Sequence, residues 1–330
     1  MTKKILGIGN AIVDILSKID DNFLTNNSLM KGSMSLIDEA SALKLSEINF
    51  EKITSGGSAG NTIAALAQLG CKTSFIGKVG DDNFGQKFIE EIEKTGTEFL
   101  NKTRHQNASA RSFILVSKDA QRTMCTFLGC ASAITEEDIL EEDFRDVGIL
   151  YLEGYLWDAP STILALKKAI SYAKKYGAKI AFTSSDSFCV SRHKKDFLQL
   201  IENDLDILFS NEDEASELVS SSQKEWSLLT KDLQNLFIKN KNLTAVVTRS
   251  EKGCAIFEGE KIYEIKTTKV ESLIDTTGAG DVFAAGFLYG INNDLSLEKS
   301  GEIGNHFAAK IIQKFGARFE EEEIKAVKIS

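Results

Sequence analysis

The chain has 330 residues, of which 42% are hydrophobic and 26% charged, the composition of an ordinary globular protein that can bury a large core. Its 39 basic and 48 acidic residues give a net charge of −9, which argues against nonspecific nucleic-acid or anionic-membrane binding because both need a basic footprint. No stretch approaches about 18 uninterrupted apolar residues, and the 5 cysteines form no CxxC pair, so we expect a cytoplasmic protein without a transmembrane helix.

Apolar runs closed by glycines or polar turns divide the first part of the chain into short elements. Gly70 and Gly96 follow two of the predicted helices in the usual C-cap position. Residues 118–121 suit a hairpin turn between two β-like runs. The predicted strands cover residues 4–9, 12–19, 33–37, 73–79, 112–117 and 122–127, and the predicted helices cover residues 39–45, 61–69 and 84–95.

Strands and helices alternate more regularly in the second half. Strands are predicted at residues 149–152, 179–182, 207–209, 244–248, 254–257, 261–265 and 270–274, and helices at 163–176, 197–202, 211–219, 226–239, 280–289 and 299–315. This alternation predicts an α/β fold with a mostly parallel sheet between two layers of helices. The β-rich pieces at about 11–37 and 107–130 fall outside it, and we expect them to form a small separate sheet. Since ligands of α/β proteins sit beyond the carboxyl ends of the strands, that sheet would act as a lid within a single domain over residues 1–330.

The strongest motif is DTTGAGD at residues 275–281, between a predicted strand and a predicted helix. Gly278 and Gly280 let the backbone approach a ligand closely. The unpaired N–H groups and the dipole of a helix start favour an anion, and a transferring phosphoryl group is one. Asp281 can then accept the proton of the attacking hydroxyl. The alternative, a plain helix-capping loop, is disfavoured by the full seven-residue pattern in this context.

A second glycine motif, GGSAGN at residues 56–61, precedes an alanine-rich helix and is followed by GKVGDDNFG at residues 77–85. Its paired glycines let a polar ligand pack against the main chain, and Asn61 offers a sugar hydroxyl both a donor and an acceptor. Two common nucleotide signatures are missing. The chain has no GxxxxGK[ST] P-loop, and GIGNAI at residues 7–12 lacks the third glycine of a dinucleotide fingerprint.

Together these motifs resemble the ribokinase-like (PfkB) family of carbohydrate and nucleoside kinases over nearly the whole chain. GGSAGN with GKVGDDNFG is similar to the first signature of the family, and DTTGAGDVFAAGF at residues 275–287 to the second. NEDE at residues 211–214 is similar to the family's NxxE segment. The resemblance implies a doubly wound ribokinase-like fold with a small β-sheet lid, ATP as phosphate donor, Mg²⁺, and in some members a monovalent cation such as K⁺.

The resemblance also implies a role for each matching residue. The implied catalytic residues are Asp281 as the base, Gly278, Ala279 and Gly280 around the phosphoryl group, and Arg122 as its cationic partner. The implied ATP-binding residues are Asn211, Thr248, Ser250, Gly253, Gly278, Gly280 and Asn305, with Ser250 where the family usually has glycine. The implied metal contacts are Asn211 and Glu214 with Mg²⁺, through water, and Asp275, Thr277 and Gly316 near the monovalent cation.

The N-terminal third resembles the adenosine kinases of this family. GNAIVDI at residues 9–15 is similar to their start and implies that Asp14 binds the ribose hydroxyls. The implied substrate-binding residues are Asn10, Asp14, Gly56, Gly57, Ser58 and Asn61, with Met34 and Leu36 as walls for a nucleobase. We therefore predict an ATP-dependent kinase that transfers the γ-phosphate to a primary hydroxyl, the 5′-hydroxyl of adenosine. It would act on a small molecule, as a monomer or a homodimer.

Two alternatives remain open. A sugar kinase of the same family, acting on ribose, fructose or a related sugar, shares the motifs. Residues 184–193 depart from the corresponding segment of typical sugar kinases and of many adenosine kinases, so they do not decide the substrate. The other alternative is a non-catalytic purine- or sugar-binding protein with this fold. The intact DTTGAGD argues against it, because a pure binding protein has no need of the base.

Overall fold

A computed structural model describes residues 3–101, 103–119, 121–221, 225–320 and 323–324. In this part of the chain the strands are β1 (Lys4–Ile8), β2 (Ile12–Lys18), β3 (Met34–Leu36), β4 (Lys52–Ser55), β5 (Thr73–Ile76), β6 (Glu98–Phe99), β7 (Ala110–Val116), β8 (Arg122–Phe127), β9 (Val147–Glu153), β10 (Lys179–Thr183), β11 (Ile207–Asn211), β12 (Thr244–Thr248), β13 (Cys254–Glu258) and β14 (Lys261–Ile265). The α-helices are α1 (Asp21–Asn26), α2 (Glu39–Leu45), α3 (Ser58–Gln68), α4 (Asn83–Lys94), α5 (Pro160–Tyr176), α6 (Ser187–Asn203), α7 (Glu212–Leu218), α8 (Trp226–Phe237), α9 (Ala279–Asn292) and α10 (Leu297–Ile311).

Nine strands form the large sheet, in the order β14-β13-β12-β11-β10-β9-β1-β5-β6. The neighbours from β12 to β6 pair in parallel, and the β13–β14 hairpin adds an antiparallel edge. Alternate residues of β1 point to opposite faces. Ile5 packs in the cluster that contains α3 and α9, and Leu6 packs in the cluster that contains α5 and α6. The mostly parallel sheet between two helical layers confirms the predicted fold class.

The second sheet has five strands in the order β3-β8-β7-β2-β4. Four of them lie within the β-rich pieces predicted from the sequence, and the separate small sheet is confirmed. The fifth, β4, was not predicted. Its four residues, KITS, contain one apolar side chain, too little for an alternation pattern. Because β4 runs directly into α3, the small sheet is connected to the GGSAGN motif.

Three predicted elements differ most from the structure, and the strand predicted at 73–79 also ends earlier, at Ile76. Residues 270–274 form no strand, and the amides of Ile274 and Asp275 instead donate to the carbonyl of Ile312 just beyond α10 (2.8 and 3.1 Å). The helix predicted at 197–202 is the second half of α6, which begins after the N-cap Asp186. The last predicted helix ends earlier, with α10 at Ile311. In the described residues no helix is both long enough and apolar enough to span a bilayer.

Candidate active site

The two glycine motifs meet at the start of α9. Gly278, with φ of 76°, is the N-cap, and Asp281 lies in the first turn. One carboxylate oxygen of Asp281 accepts from Ser58 Oγ (2.6 Å), and the other accepts from Asn61 Nδ2 (3.0 Å). Burial raises the pKa of Asp281 to about 6, although these hydrogen bonds and the charge of Arg318 oppose the rise. A partly desolvated carboxylate of this kind suits a general base.

Gly278 is a position where the turn requires glycine. Its left-handed backbone disfavours an L side chain. A Cβ at this position would also lie 2.5 Å from the Cβ of Ala317. The α9 start can therefore pack directly on the segment that follows α10.

The first half of DTTGAGD is tied to the small sheet and to the segment after α10. Arg122, the first residue of β8, forms an ion pair with Asp275 and donates to Thr277 Oγ1. Asp275 also accepts from the backbone N–H groups of Thr277 and Gly316, both at 2.8 Å. The structure therefore brings Asp275, Thr277 and Gly316 together, with Arg122 against them. Both carboxylate oxygens of Asp275 are already occupied by protein donors.

The chain just after β1 and the turn before α3 contain the residues predicted to bind the molecule that accepts the phosphoryl group. We call this part of the site the acceptor side. Asp14 of β2 lies beside this turn, and burial raises its pKa to about 7 while Arg318 opposes the rise. A Cβ at Gly56 would lie 2.2 Å from Asp14 Oδ2. A Cβ at Gly57, where φ is 82°, would lie 2.3 Å from the carbonyl oxygen of Asn10. The paired glycines therefore allow a close approach that side chains would prevent.

Glu153, which the sequence analysis missed, joins the two parts of the acceptor side. It is the last residue of β9 and is 1% exposed. Its Oε1 accepts from the backbone N–H of Asn10 (2.9 Å), and its Oε2 accepts from the backbone N–H of Ala59 (2.7 Å). Burial raises its pKa to about 7. Glu153 therefore holds the chain after β1 against the first turn of α3.

A cavity of about 680 Å³ opens beside these residues. Its lining includes Asp14 of β2, Arg122 of β8 and Thr277 of the DTTGAGD motif. Arg318, also missed by the sequence analysis, lines the same cavity. These four residues, from four separate parts of the sequence, thus line one cavity.

Met34 and Leu36 lie on an edge strand of the small sheet, three strand positions away from the strand of Asp14. They belong to β3 and are 46% and 58% exposed, so the structure does not enclose them in a pocket with Asp14. A continuous row of paired residues nevertheless connects Asp14 to Leu36 across the small sheet. Asp14 is paired with Ser112, Ser112 with Thr126, and Thr126 with Leu36. Paired residues share a face, so this row runs from Asp14 to Leu36 on one side of the sheet, over roughly 14 Å.

Asn211 and Glu214 form a capping box at the start of α7. Asn211 Nδ2 donates to Glu214 Oε1 (2.5 Å), while Glu214 Oε2 accepts from Ser184 Oγ (2.7 Å) and from the Asn211 backbone N–H (3.1 Å). Glu214 is 5% exposed, and burial raises its pKa to about 7. Within this segment Glu214 is buried, whereas Asn211 and Asp213 are exposed. Ser184, in the divergent segment, helps to hold the glutamate.

The remaining predicted nucleotide residues lie at the antiparallel edge of the large sheet. Thr248 ends β12 next to Asn211 of β11, its partner in register. Ser250 has φ of 49°, the left-handed conformation that glycine favours, so the turn to Gly253 is kept without the glycine. Asn305 of α10 is 5% exposed, and its Nδ2 donates to the carbonyls of Ile265 and Lys266 (3.3 and 3.1 Å). Thr248, Ser250 and Gly253 thus lie at the connection from β12 to β13 of the large sheet, while Met34 and Leu36 lie on the separate small sheet.

Comparison with known proteins agrees with this fold. The family model "pfkB family carbohydrate kinase" matches residues 34–324, and the chain therefore belongs to the pfkB family of carbohydrate kinases. It is accordingly a phosphotransferase that acts on a hydroxyl group of a sugar or nucleoside.

Three relatives illustrate the range of this similarity. The structure of a probable sugar kinase from Rhizobium etli is 37% identical, with a TM-score of 0.88 over 98% of both chains. The structure of an adenosine kinase from Sinorhizobium meliloti is also 37% identical, with a TM-score of 0.86 over 97% of this chain and 96% of that one. Adenosine kinase of Saccharomyces cerevisiae is 25% identical over 98% of this chain and 99% of its own length.

Proposed function

We propose that this enzyme transfers the γ-phosphate of ATP to the 5′-hydroxyl of adenosine, giving AMP and ADP. The observation that carries the proposal is the position of Asp281. It lies at a helix start suited to an anion and is hydrogen-bonded to Ser58 and Asn61 of the acceptor-side motif. A hydroxyl bound between Asp14 and Asp281 would face the phosphoryl group that the helix start attracts.

The chain's own residues supply most of the chemistry in this proposal. Asp281 takes the proton of the attacking hydroxyl, and its pKa of about 6 leaves it mostly ionised at neutral pH. The backbone N–H groups of Gly278, Gly280 and Asp281 stabilise the charge on the transferred group, whereas those of Thr277 and Ala279 already donate to Asp275 and to the carbonyl of Thr276. Arg122 lies at the same place and adds a guanidinium, which suits phosphate oxygens. Asp14, Asn10, Gly57 and Asn61 orient the ribose.

Mg²⁺, when bound, would neutralise charge on the ATP phosphates. Asn211 and Glu214 fit a water-mediated role, because both carboxylate oxygens of Glu214 already accept from protein donors. A monovalent cation such as K⁺ near Asp275, Thr277 and Gly316 would have to use main-chain oxygens. The Asp275 carboxylate already has an ion pair and two hydrogen bonds.

The small sheet favours a nucleoside over a free sugar as acceptor. The row from Asp14 through Ser112 and Thr126 to Leu36 spans three strand spacings on one face, and a pentose bound at Asp14 would leave the apolar end of this row uncovered. Leu36 and Phe127 also line a cavity of about 460 Å³ that can receive a base. The 37% identity to an adenosine kinase over nearly the whole chain points the same way.

We further propose that the small sheet is the lid of a single kinase domain. This proposal is supported by the ion pair between Arg122 of the small sheet and Asp275 of the DTTGAGD motif. A lid in this position would exclude water, which otherwise competes with the acceptor for the phosphoryl group.

A sugar kinase is the second candidate, because the equally similar Rhizobium etli protein is described as a probable sugar kinase. An acceptor panel of adenosine, ribose and fructose, followed by ADP release, separates the two. We expect turnover of adenosine that Asp281→Asn abolishes. Turnover of a free sugar with none of adenosine would overturn the nucleoside proposal.

A lid variant makes the same distinction within one protein. Leu36 is largely exposed, so Leu36→Ser should fold normally. If Leu36 contacts the base, this variant raises KM for adenosine and leaves any residual turnover of ribose unchanged. The matched control is Leu43→Ser, at an exposed leucine of α2 that does not line the base cavity. Equal loss of both activities, or no loss of either, would contradict the base site.

A further inference from the structure

Arg318 lies in the segment after α10, 257 residues from Asn61 in sequence, yet its guanidinium contacts the acceptor-side motif. Its Nε donates to Asn61 Oδ1 (3.1 Å), and its Nη1 donates to Ser55 Oγ at the end of β4. A Cβ at Gly60 of α3 would lie 3.4 Å from Arg318 Nη2, an ordinary van der Waals distance, so the guanidinium lies directly beside this helix. The guanidinium is thus packed against α3 and the end of β4.

The hydrogen bond from Arg318 decides the orientation of the Asn61 carboxamide. A carboxamide has one end that donates and one that accepts, and rotation by half a turn exchanges them. With Oδ1 accepting from Arg318, Nδ2 must face Asp281, to which it donates at 3.0 Å. The reversed orientation would put two donors together at Arg318 and two acceptors together at Asp281. Arg318 therefore favours the orientation in which Asn61 supports the ionised base.

The charge of Arg318 acts on the same carboxylate. The charged or titratable groups that interact with Asp281 are Asp14 of β2, Tyr151 and Glu153 of β9, and Arg318. Asp14, Tyr151 and Glu153 are each either neutral or negatively charged, depending on pH. Arg318 therefore supplies the positive charge among these four groups. It also opposes protonation of Asp14, where Arg122 adds a smaller effect of the same sign. Without Arg318, the buried carboxylates of Asp14 and Asp281 would lie near each other with less positive charge to offset their repulsion.

We propose that Arg318 is a positioning residue for phosphoryl transfer: it orients Asn61 toward Asp281 and balances the negative charge of Asp281 and Asp14. It acts through these residues and not by contact with the reacting atoms. The inference rests on the proposed role of Asp281 as base. Its geometric part, the coupling of Arg318 to Asp281, does not depend on the identity of the acceptor.

Two substitutions separate the charge of Arg318 from its geometry. Arg318→Gln removes the charge, and Arg318→Lys keeps it but loses the fixed pair of donors to Asn61 and Ser55. Arg145→Gln is the matched control, at an exposed arginine near the opposite end of β9. Thermal unfolding establishes that each variant is folded, and the lysine variant serves if the glutamine variant is not.

The first readout is the pKa of the Asp281 carboxyl group, from ¹³C NMR of the ligand-free protein with the signal assigned through Asp281→Asn. We expect Arg318→Gln to raise this pKa and Arg318→Lys and Arg145→Gln to leave it nearly unchanged. An unchanged pKa in Arg318→Gln would overturn the charge coupling. This measurement decides the inference even if the wild type phosphorylates none of the acceptors, an outcome that would count against the proposed function alone.

The second readout is the pH profile of kcat for the acceptor with the highest turnover. Arg318→Gln should move the acidic limb to higher pH and lower kcat on the order of tenfold to a hundredfold near neutral pH, the size of one hydrogen bond to a charged group. Arg318→Lys should lower kcat while the acidic limb stays in place. KM for ATP should change little in both variants. Wild-type kcat in both variants would show that Arg318 does not position the base.

Discussion

Gly57→Ala is the substitution whose effect follows most directly from the geometry of the acceptor side. Gly57 has φ of 82° and ψ of 140°, a region open essentially only to glycine. The alanine Cβ would lie 2.3 Å from the carbonyl oxygen of Asn10. Ordinary contact begins at 3.4 Å, so the chain after β1 and the start of α3 must separate by about 1 Å.

A displacement of this size should weaken catalysis more than stability. Misplacement by about 1 Å costs on the order of a hundredfold in rate, and we expect this loss in kcat/KM for the acceptor. Gly70→Ala is the control. Gly70 follows α3 with φ of 86°, but its Cβ would meet nothing within 4 Å. Both variants should lose about 1–2 kcal/mol of unfolding free energy from the left-handed backbone, with more in Gly57→Ala from the clash.

The assay is steady-state kinetics for acceptor and for ATP, with denaturant unfolding of both variants. We expect kcat/KM for the acceptor to fall in Gly57→Ala only, and KM for ATP to stay near its wild-type value in both. If Gly57→Ala loses no more kcat/KM than Gly70→Ala, the contact between Gly57 and Asn10 does not shape the acceptor site, and this reasoning is wrong.

Three further predictions concern the buried carboxylates. Because the pKa of Asp281 is raised to about 6, kcat should fall about tenfold per pH unit below that value, and a pH-independent rate down to about pH 5 would contradict this. Burial raises the pKa of Glu153 from 4.5 to about 7, so its protonated form stabilises the fold at low pH and this contribution is lost as the pH rises toward 7. The wild-type unfolding free energy should therefore fall between about pH 5 and about pH 8. In Glu153→Gln, whose side chain does not titrate, this fall should be smaller by on the order of 3 kcal/mol, as measured by urea titration of the ligand-free protein. Glu214→Gln should raise the Mg²⁺ concentration needed for half-maximal activity several-fold, and an unchanged Mg²⁺ titration would argue against its proposed role.

The sequence predicted those parts of the site that depend on local patterns. Gly278 at a helix start and Gly57 before another helix have backbone requirements that glycine makes visible in a single chain. The contact between Asp281 and Asn61 was not visible locally, but it follows if both motifs serve one site. The class of chemistry was predicted from the resemblance of these motifs, together with NEDE at residues 211–214, to the pfkB family.

Glu153 and Arg318 were missed because their partners are distant in sequence. Glu153 binds the backbone of Asn10 and Ala59, which are 143 and 94 residues away. Backbone partners leave no sequence pattern. A lone glutamate after an apolar strand or a lone arginine after a helix has no signature of its own, and only the packing of β9, α3 and the segment after α10 gives them their roles.

The predicted strand at 270–274 was wrong for a related reason. Its composition fits a strand, but Leu273 and Ile274 are 68% and 47% exposed, and the chain runs along the end of α10. A short apolar run does not reveal whether a sheet edge is available to it. Here β14 ends the large sheet before this segment begins.

The most direct test of the account is the rate of ADP release with adenosine by the wild type and by Asp281→Asn. Asparagine has nearly the same shape and its Oδ1 can still accept from Ser58, so the fold and ATP binding should be kept although the hydrogen bond from Asn61 Nδ2 is lost. The account predicts that the variant loses on the order of a hundredfold to ten-thousandfold in kcat, because the group that takes the proton is gone. A variant that phosphorylates adenosine at the wild-type rate would contradict the assignment of Asp281 as the base.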